Sequence, residues 1–213
     1  MISRSTYVSI LFSACFCMFQ TPQTKFSPIF NGKDLAGWKH VGDGTFLVQN
    51  GLLKTVGGMG LLYYSPEQLG NVVIRVIYKT TSKTSNSGVF IRIPEPPTEP
   101  WMPVNKGYEV QIDDNGDEYH VSGVLYSLTK TTLRPGIPGQ WNILEITLDS
   151  NRTAAILNGV KTTDYVEGQA VPPKRQWWEP DRGPRPYSGY IGLQNHSEDD
   201  TVFFKEISLK SIR

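Results

Sequence analysis

The chain has 213 residues, with 21 Lys and Arg residues against 20 Asp and Glu residues. This length suits one domain with a sizeable core, and the near-zero charge argues against a nucleic acid or an anionic membrane as partner, since these usually need a basic surplus. Aromatic residues make up 11% of the chain, which also has 20 Gly and 15 Pro. This composition is typical of an all-β domain with many turns and a stacking surface for a ring-shaped ligand.

Residues 1–21 have the pattern of an export signal. A short basic start, MISR, precedes the apolar run YVSILFSACFCMF, which is too short to span a bilayer. Both cysteines, Cys15 and Cys17, lie in this run, so cleavage would leave a chain without a thiol. The stretch FSAC resembles a lipoprotein box ending at Cys15, which leaves a lipid anchor as an alternative. We expect an exported protein, periplasmic or extracellular.

The remainder, residues 26–213, predicts a single β-sandwich domain. Helical periodicity is nearly absent, and the pattern consists of short β-rich runs separated by turns. Asn158-Gly159 predicts a two-residue hairpin turn, because both residues tolerate positive φ. About a dozen short strands favour two antiparallel sheets packed as a sandwich or jelly roll. The runs are TFLVQN, GLLKTV, LLYYS, NVVIRVIYKTT, SGVFIRI, GYEVQID, SGVLYSL, NILEITLD, TAAILNGVKTTDY, GYIGLQNH and TVFFKEISLKSI.

Two irregular stretches interrupt this pattern. Residues 94–105 are proline-rich and contain Trp101, and residues 171–189 are proline-rich and contain Trp177 and Trp178. Long loops in a compact domain are usually functional walls or linkers. Their aromatic content favours walls of a binding site.

The run KGYEVQID places polar side chains in line along one strand face. Alternation puts Tyr108, Val110 and Ile112 on one side and leaves Glu109, Gln111 and Asp113 on the other. A solvated face of an ordinary strand is one interpretation. The runs SGVFIRI and GYIGLQNH alternate in the same way, and if the three strands are neighbours, one concave surface carries Arg92, Glu109, Gln111, Asp113, Gln194 and His196.

This set of side chains fits a polyol ligand or acid–base chemistry. Amides, a carboxylate and an arginine supply paired donors and acceptors to hydroxyl groups, and aromatic rings stack on a sugar face. His196 is the natural proton carrier near neutral pH, although a structural histidine is an equal alternative. His120 ends the polar turn DDNGDEYH, which could place it at the rim.

A conventional glycosidase pair fits poorly. Four residues of extended strand separate the Cα atoms of Glu109 and Asp113 by roughly 13 Å, whereas the carboxyls of a retaining pair lie about 5.5 Å apart and those of an inverting pair about 6.5–9.5 Å. The acidic stretch DDNGDE resembles a Ca²⁺ loop in composition but lacks the spaced ligand pattern, so we favour a hairpin turn.

Seven motifs in order resemble the 3-keto-disaccharide hydrolase family, whose activities are those of a 3-keto-glucoside lyase or hydratase. They are FNGKDLAGW, SNSGVFIR, KGYEVQIDD, SGVLYSL, WNILEI, LNGV and GYIGLQNH, spread from about Phe26 to Arg213. The resemblance implies a concanavalin A-like lectin/glucanase jelly roll, export in bacteria, and action on glycosides oxidised at C3. Val124 stands where the family more often has Ala.

The implied chemistry needs one base, one acid and a donor or cation at an enolate, because a ketone at C3 acidifies the C2 hydrogen. On the matching motifs, Glu109 and His196 become candidate base or acid, and Asp113 would orient His196 or bind a hydroxyl. Substrate contacts would come from Arg92, Gln111 and Gln194, and stacking from Trp101, Tyr126 and Trp178. A divalent metal could replace the cationic stabiliser, and no other cofactor is implied.

Three functions remain open on the sequence. The first is an exported enzyme that cleaves or hydrates 3-keto-glycosides, with a small carbohydrate as its partner. The second is a non-catalytic carbohydrate-binding module on the same fold, and the third is a glucanase.

Overall fold

The computed structural model describes residues 25–212. The predicted export signal, with Cys15 and Cys17, lies outside these residues. Among residues 25–212, no helix combines the length and the apolar character that crossing a membrane requires.

The described chain folds into thirteen strands and one short helix. The strands are β1 (Ser27–Pro28), β2 (Trp38–Gly42), β3 (Thr45–Gln49), β4 (Leu52–Val56), β5 (Gly60–Leu69), β6 (Val72–Thr80), β7 (Asn86–Ile93), β8 (Tyr108–Asp113), β9 (Asn142–Asp149), β10 (Arg152–Leu157), β11 (Val160–Val166), β12 (Gly189–Asn195) and β13 (Val202–Ser211); the helix is α1 (Met102–Lys106).

The strands form two antiparallel sheets. The larger has the order β11-β10-β9-β6-β13-β4-β3, with β1 also beside β13. The smaller has the order β2-β5-β12-β7-β8. The predicted sandwich is therefore confirmed, and the three strands with polar faces are neighbours, since β7 lies between β12 and β8.

The main core lies between the two sheets and follows from strand alternation. From β8, Tyr108, Val110 and Ile112 point into it, and β9 contributes Leu144 and Ile146. Alternate side chains of a strand face opposite sides of its sheet. The other face of β8 is therefore left for Glu109 and Gln111.

A second, smaller core lies on the outer face of the five-stranded sheet. Leu61 and Phe90 from this sheet pack with Ile93, and with Met102 and Val104 from α1. The stretch 94–107 is thereby fixed over one end of the concave face. The sequence predicts no helix here; Pro103 fits the first turn, where a missing N–H costs nothing.

The run SGVLYSL is not a strand, contrary to the sequence prediction. It forms turns that run back along β8, where Gly123 donates to the carbonyl of Gln111 and Tyr126 donates to that of Glu109. These bonds occupy the free edge of β8 without regular pairing. The preceding stretch 113–118 is a turn, as expected. Asn158 and Gly159 have φ values of 49° and 80°, so that hairpin turn is confirmed.

Candidate active site on the five-stranded sheet

The ends of β7, β8 and β12 meet at a pocket. It is open to solvent at the concave face of the five-stranded sheet. Asn86 is the one lining residue that the sequence analysis did not predict. The full lining is Asn86, Trp101, Glu109, Gln111, Tyr126, Gln194 and His196.

Gly88 makes room for the Glu109 carboxyl. On β7, Phe90 lies opposite Glu109 and Gly88 opposite Gln111. A Cβ atom on Gly88 would lie 2.2 Å from Glu109 Oε1, well inside contact distance. Glu109 therefore lies over a bare patch of backbone that only glycine supplies.

Burial controls the ionisation of Glu109. The residue is 6% exposed, and loss of solvent raises its pKa to about 8. In the described part of the chain, no hydrogen bond or ion pair to the carboxyl offsets this cost. The buried acid is thus largely protonated at neutral pH, as expected for a carboxyl in low dielectric.

His196 is oriented by Asp200. Its Nδ1 atom lies 2.8 Å from Asp200 Oδ2, and the other oxygen of this carboxylate accepts the backbone N–H of Asn86 at 2.7 Å. Ser197 Oγ also donates to Oδ2 at 2.6 Å. A carboxylate accepts a hydrogen bond, so the neutral ring carries its proton on Nδ1. Nε2 of His196 is then left as a hydrogen-bond acceptor toward the pocket.

Two amide side chains carry unused hydrogen-bonding capacity at the pocket. Gln111 and Gln194 are 2% and 3% exposed, and the Oε1 atom of each has no partner among the described residues. Gln111 Nε2 makes a long, weak contact of 3.4 Å with Asn86 Oδ1. Buried carbonyl oxygens without donors are costly, so a ligand with hydroxyl groups would satisfy them.

Two aromatic side chains form the walls. Trp101, at the start of α1, is 43% exposed and lines the pocket from above the sheet. Tyr126 lines it from the segment beside β8, and its pKa is raised to about 12 by burial and by the nearby carboxyl of Glu109. Its ring also lies 5.0 Å from that of His120.

Comparison with known proteins identifies the family. Residues 25–210 match the 3-keto-alpha-glucoside-1,2-lyase-like domain, nearly the whole described chain. The chain belongs to this family. It is therefore a carbohydrate-active domain of the 3-keto-glucoside lyase-like type. No curated protein matches its sequence.

Solved structures confirm the fold of this lyase-like domain. A putative glycosyl hydrolase from Parabacteroides distasonis is 23% identical with a TM-score of 0.72, over 88% of this chain and 94% of that one. The carbohydrate binding module CBM66 from Bacillus subtilis is 13% identical with a TM-score of 0.58, over 82% and 96%. The exoplasmic/lumenal domain of VIP36 is 11% identical with a TM-score of 0.52, over 84% and 86%.

Arg92 does not join the pocket of the lyase-like domain, contrary to its predicted place. Its side chain is 1% exposed and donates to Thr153 Oγ1 and to the carbonyls of Pro186, Ser150 and Arg152, at 2.9–3.2 Å. The cause is a bulge: Arg92 has φ 55° and the β7–β12 register shifts beside it, so the expected alternation fails. The guanidinium therefore points between the sheets.

Asp113 and Trp178 also lie outside the pocket lining. Asp113 Oδ1 accepts the backbone N–H of Asn115, which places this carboxylate in the turn after β8. Burial raises its pKa, while the turn amides oppose that shift. Trp178 contacts the ring of Trp177 at 5.5 Å and is 43% exposed. The predicted orienting role at His196 is taken by Asp200.

The remaining members of the site have little signal in the sequence. Asp200 is one of three acids in SEDD, and nothing in that stretch distinguishes the one that reaches His196. Asn86 and Gly88 lie at the start of the apolar run of β7. Their distance from Glu109 depends on how β7 pairs with β8, which the sequence does not reveal. Between residues 25 and 212, no group of three or more His, Cys, Asp or Glu side chains is arranged to hold a metal ion.

Proposed function

We propose that this protein cleaves 3-keto-glycosides by removing the proton at C2 and releasing the substituent at C1. The observation that carries the proposal is a pair of proton-transfer groups on one pocket: a buried, protonated Glu109 and an Asp200-oriented His196. Membership of the 3-keto-glucoside lyase-like family supports 3-keto-glycosides as the substrate class.

In this mechanism His196 acts as the base. Nε2 takes the C2 proton, which the C3 ketone acidifies, and Asp200 stabilises the imidazolium that forms. The electron pair of the C2–H bond becomes the enolate and then the C1=C2 double bond, as the C1–O bond breaks.

Glu109 acts as the acid. Its proton passes to the leaving C1 oxygen, which departs as an alcohol. The amide groups of Gln111 and Gln194 bind substrate oxygens, and Trp101 stacks on the sugar ring. Addition of water across the new double bond would convert this elimination into net hydrolysis.

The export signal predicted at residues 1–21 supports action outside the cytoplasm. The substrate would then be an extracellular or periplasmic carbohydrate that a separate oxidation has converted to the 3-keto form.

The test is a Glu109→Gln variant assayed on two 3-keto-glucosides, an alkyl glycoside, whose leaving group is an alcohol, and a glycosyl fluoride, whose leaving group is fluoride. We expect turnover of the alkyl glycoside to fall at least about a hundredfold, the usual scale for a general acid. The fluoride should lose far less, because its departure needs little proton transfer.

Glu67→Gln, an exposed substitution of the same kind on β5, is the control and should behave as the wild type. Equal losses on both substrates would remove Glu109 from the role of acid.

A sugar-binding module without catalysis is the second candidate, favoured by the unpartnered carbonyls of Gln111 and Gln194. It predicts binding of an unoxidised glycan without turnover of any keto-sugar. Release of reducing ends from an unoxidised glucan would instead indicate a glucanase.

A further inference from the structure

A second hollow lies directly beside the candidate active site. It is bounded by Tyr119 and His120 on one side and by Pro172, Arg175 and Glu179 on the other. The ring of His120 contacts that of Tyr126, a wall of the first pocket, at 5.0 Å. Tyr126 therefore separates two adjoining spaces.

A third hollow continues the row. Tyr119 and Pro172 line both the second and the third hollow. Thr129, Thr163 and Gln169 give the third hollow a lining of hydroxyl and amide groups. The second and third hollows thus lie between the segment 117–130 and the loop 169–182, and Tyr126 connects them to the first pocket.

The outer wall of this row is braced. Arg182 donates to the carbonyl of Pro172 at 2.8 Å, to Ser127 at 3.3 Å and to Glu179 Oε2 at 2.9 Å. The same oxygen of Glu179 accepts the backbone N–H of Arg175 at 2.9 Å. A loop already held in place loses less conformational freedom when a ligand binds.

The lining of the second hollow suits a neutral polyhydroxyl chain. Its acids, Asp117 and Glu179, are balanced by Arg175 and Arg182, so it favours neither an anion nor a cation. Asp117 orients Nδ1 of His120 at 2.7 Å, which leaves Nε2 for a hydroxyl group. The faces of Tyr119 and Pro172 provide apolar surface for a sugar ring.

We propose that the three hollows form one trough that binds a glycan of at least three sugars. This inference rests on the proposed function, in which the oxidised sugar occupies the first pocket and loses its substituent at C1. The remaining sugars then extend from C1 through the second and third hollows. The domain would act on the non-reducing end of an oligosaccharide chain and release one keto-sugar for each cleavage.

The first test is binding of unoxidised α- and β-linked gluco-oligosaccharides of one to four units, measured by titration calorimetry. We expect affinity to rise by about tenfold or more from one to three units in one of the two series, and to level off at four. Equal affinity for one unit and three units in both series would overturn the trough. This readout does not depend on turnover, so it holds even if the proposed chemistry is wrong.

The second test is kcat/KM on methyl 3-keto-glucoside and on oligosaccharides with a 3-keto non-reducing end. The wild type should gain with each added sugar up to three. Tyr119→Ala should lose that gain and keep the rate on the methyl glycoside, whereas Tyr187→Ala, an exposed tyrosine outside the three hollows, should keep both.

A gain that survives in Tyr119→Ala would overturn the trough as the site of the extra sugars. Absence of turnover on every keto-glycoside would reject the proposed function, and the calorimetric series would then decide the trough by itself.

Discussion

Glu109 owes its chemistry to its position on the sheet. Alternation turns its side chain away from the main core, Gly88 gives it space, and its neighbours leave the residue only 6% exposed. No nearby cation or donor in residues 25–212 stabilises its ionised form. A carboxylic acid that stays protonated at neutral pH is the outcome.

The raised pKa of Glu109 predicts the alkaline side of the pH–rate profile. Because the acid must carry its proton, kcat/KM on an alkyl 3-keto-glucoside should fall above about pH 8. The Glu109→Gln variant should have a much lower rate, and that rate should not decline above about pH 8. A rate that instead rises through pH 8 would make Glu109 the base, exchanging its role with His196.

Arg92 shows how a single backbone angle decides the role of a residue. Its charge and its strand made it a reasonable contact for a sugar oxygen. With φ at 55°, the side chain turns into the interior and pairs with carbonyls of the β9–β10 hairpin and of Pro186. Alternation cannot predict such a bulge, because the residue types on β7 contain no signal for it.

Replacing Arg92 should therefore affect stability, with sugar binding unchanged. Arg92→Met leaves four acceptors without their donor, so we expect the free energy of unfolding to fall by about 3 kcal/mol or more in chemical denaturation. Arg134→Met, at an exposed arginine, should change it by less than about 1 kcal/mol. Loss of affinity without loss of stability in Arg92→Met would return Arg92 to the site.

At the scale of the element, β7 and β8 form the unit that positions the pocket. The alternation of GYEVQID predicts which side chains of β8 face the core, and it places Glu109 and Gln111 on the pocket side. Asp113, predicted on the same side, instead binds the turn after β8. The pairing of β8 with β7 and of β7 with β12 could only be assumed from sequence, since strand order depends on contacts between distant segments. The irregular segment beside β8 escaped prediction because SGVLYSL has strand-forming residues but pairs through turns.

Gly88→Ala tests this unit directly. The new methyl group would overlap the Glu109 carboxyl, so we expect the acid to be displaced and kcat on an alkyl 3-keto-glucoside to fall at least about tenfold. Gly58→Ala is the matched control, because a Cβ atom there meets nothing within 4 Å. Full activity in Gly88→Ala would show that the placement of Glu109 is not critical.

At the scale of the whole molecule, the two-sheet sandwich followed from the number of short strands and turn signals. The long loops are recognisable from the sequence, and Trp101 from one of them lines the first pocket. Which part of each loop reaches the pocket was beyond the sequence: Trp178 lies apart, whereas Tyr119 and His120 border the second hollow. Loop positions depend on tertiary anchors such as Arg182, which carry no local pattern.

Burial of one acid also makes the stability of the whole fold depend on pH. Glu109 has a pKa of about 8 when folded and near 4.5 when unfolded, so its contribution to stability is complete below pH 4.5 and is lost as pH rises toward 8. Glu109→Gln should therefore match the wild type near pH 4 and exceed it at pH 8.5, by roughly 4 kcal/mol. Thermal and urea unfolding across this range measure the difference, with Glu67→Gln as reference; a gap that does not vary with pH would contradict the burial of Glu109.

The interior guanidinium of Arg92 has a consequence for how the sandwich assembles. Its acceptors come from segments 58 to 94 positions further along the chain, so none is available until the two layers have docked in their final alignment. If the two sheets packed in a shifted alignment, the guanidinium would be buried without hydrogen-bond acceptors. The resulting free-energy penalty is larger than misaligned apolar side chains alone would cause. Arg92 therefore disfavours incorrectly aligned sheets, and it does so at the end of β7 remote from the candidate active site.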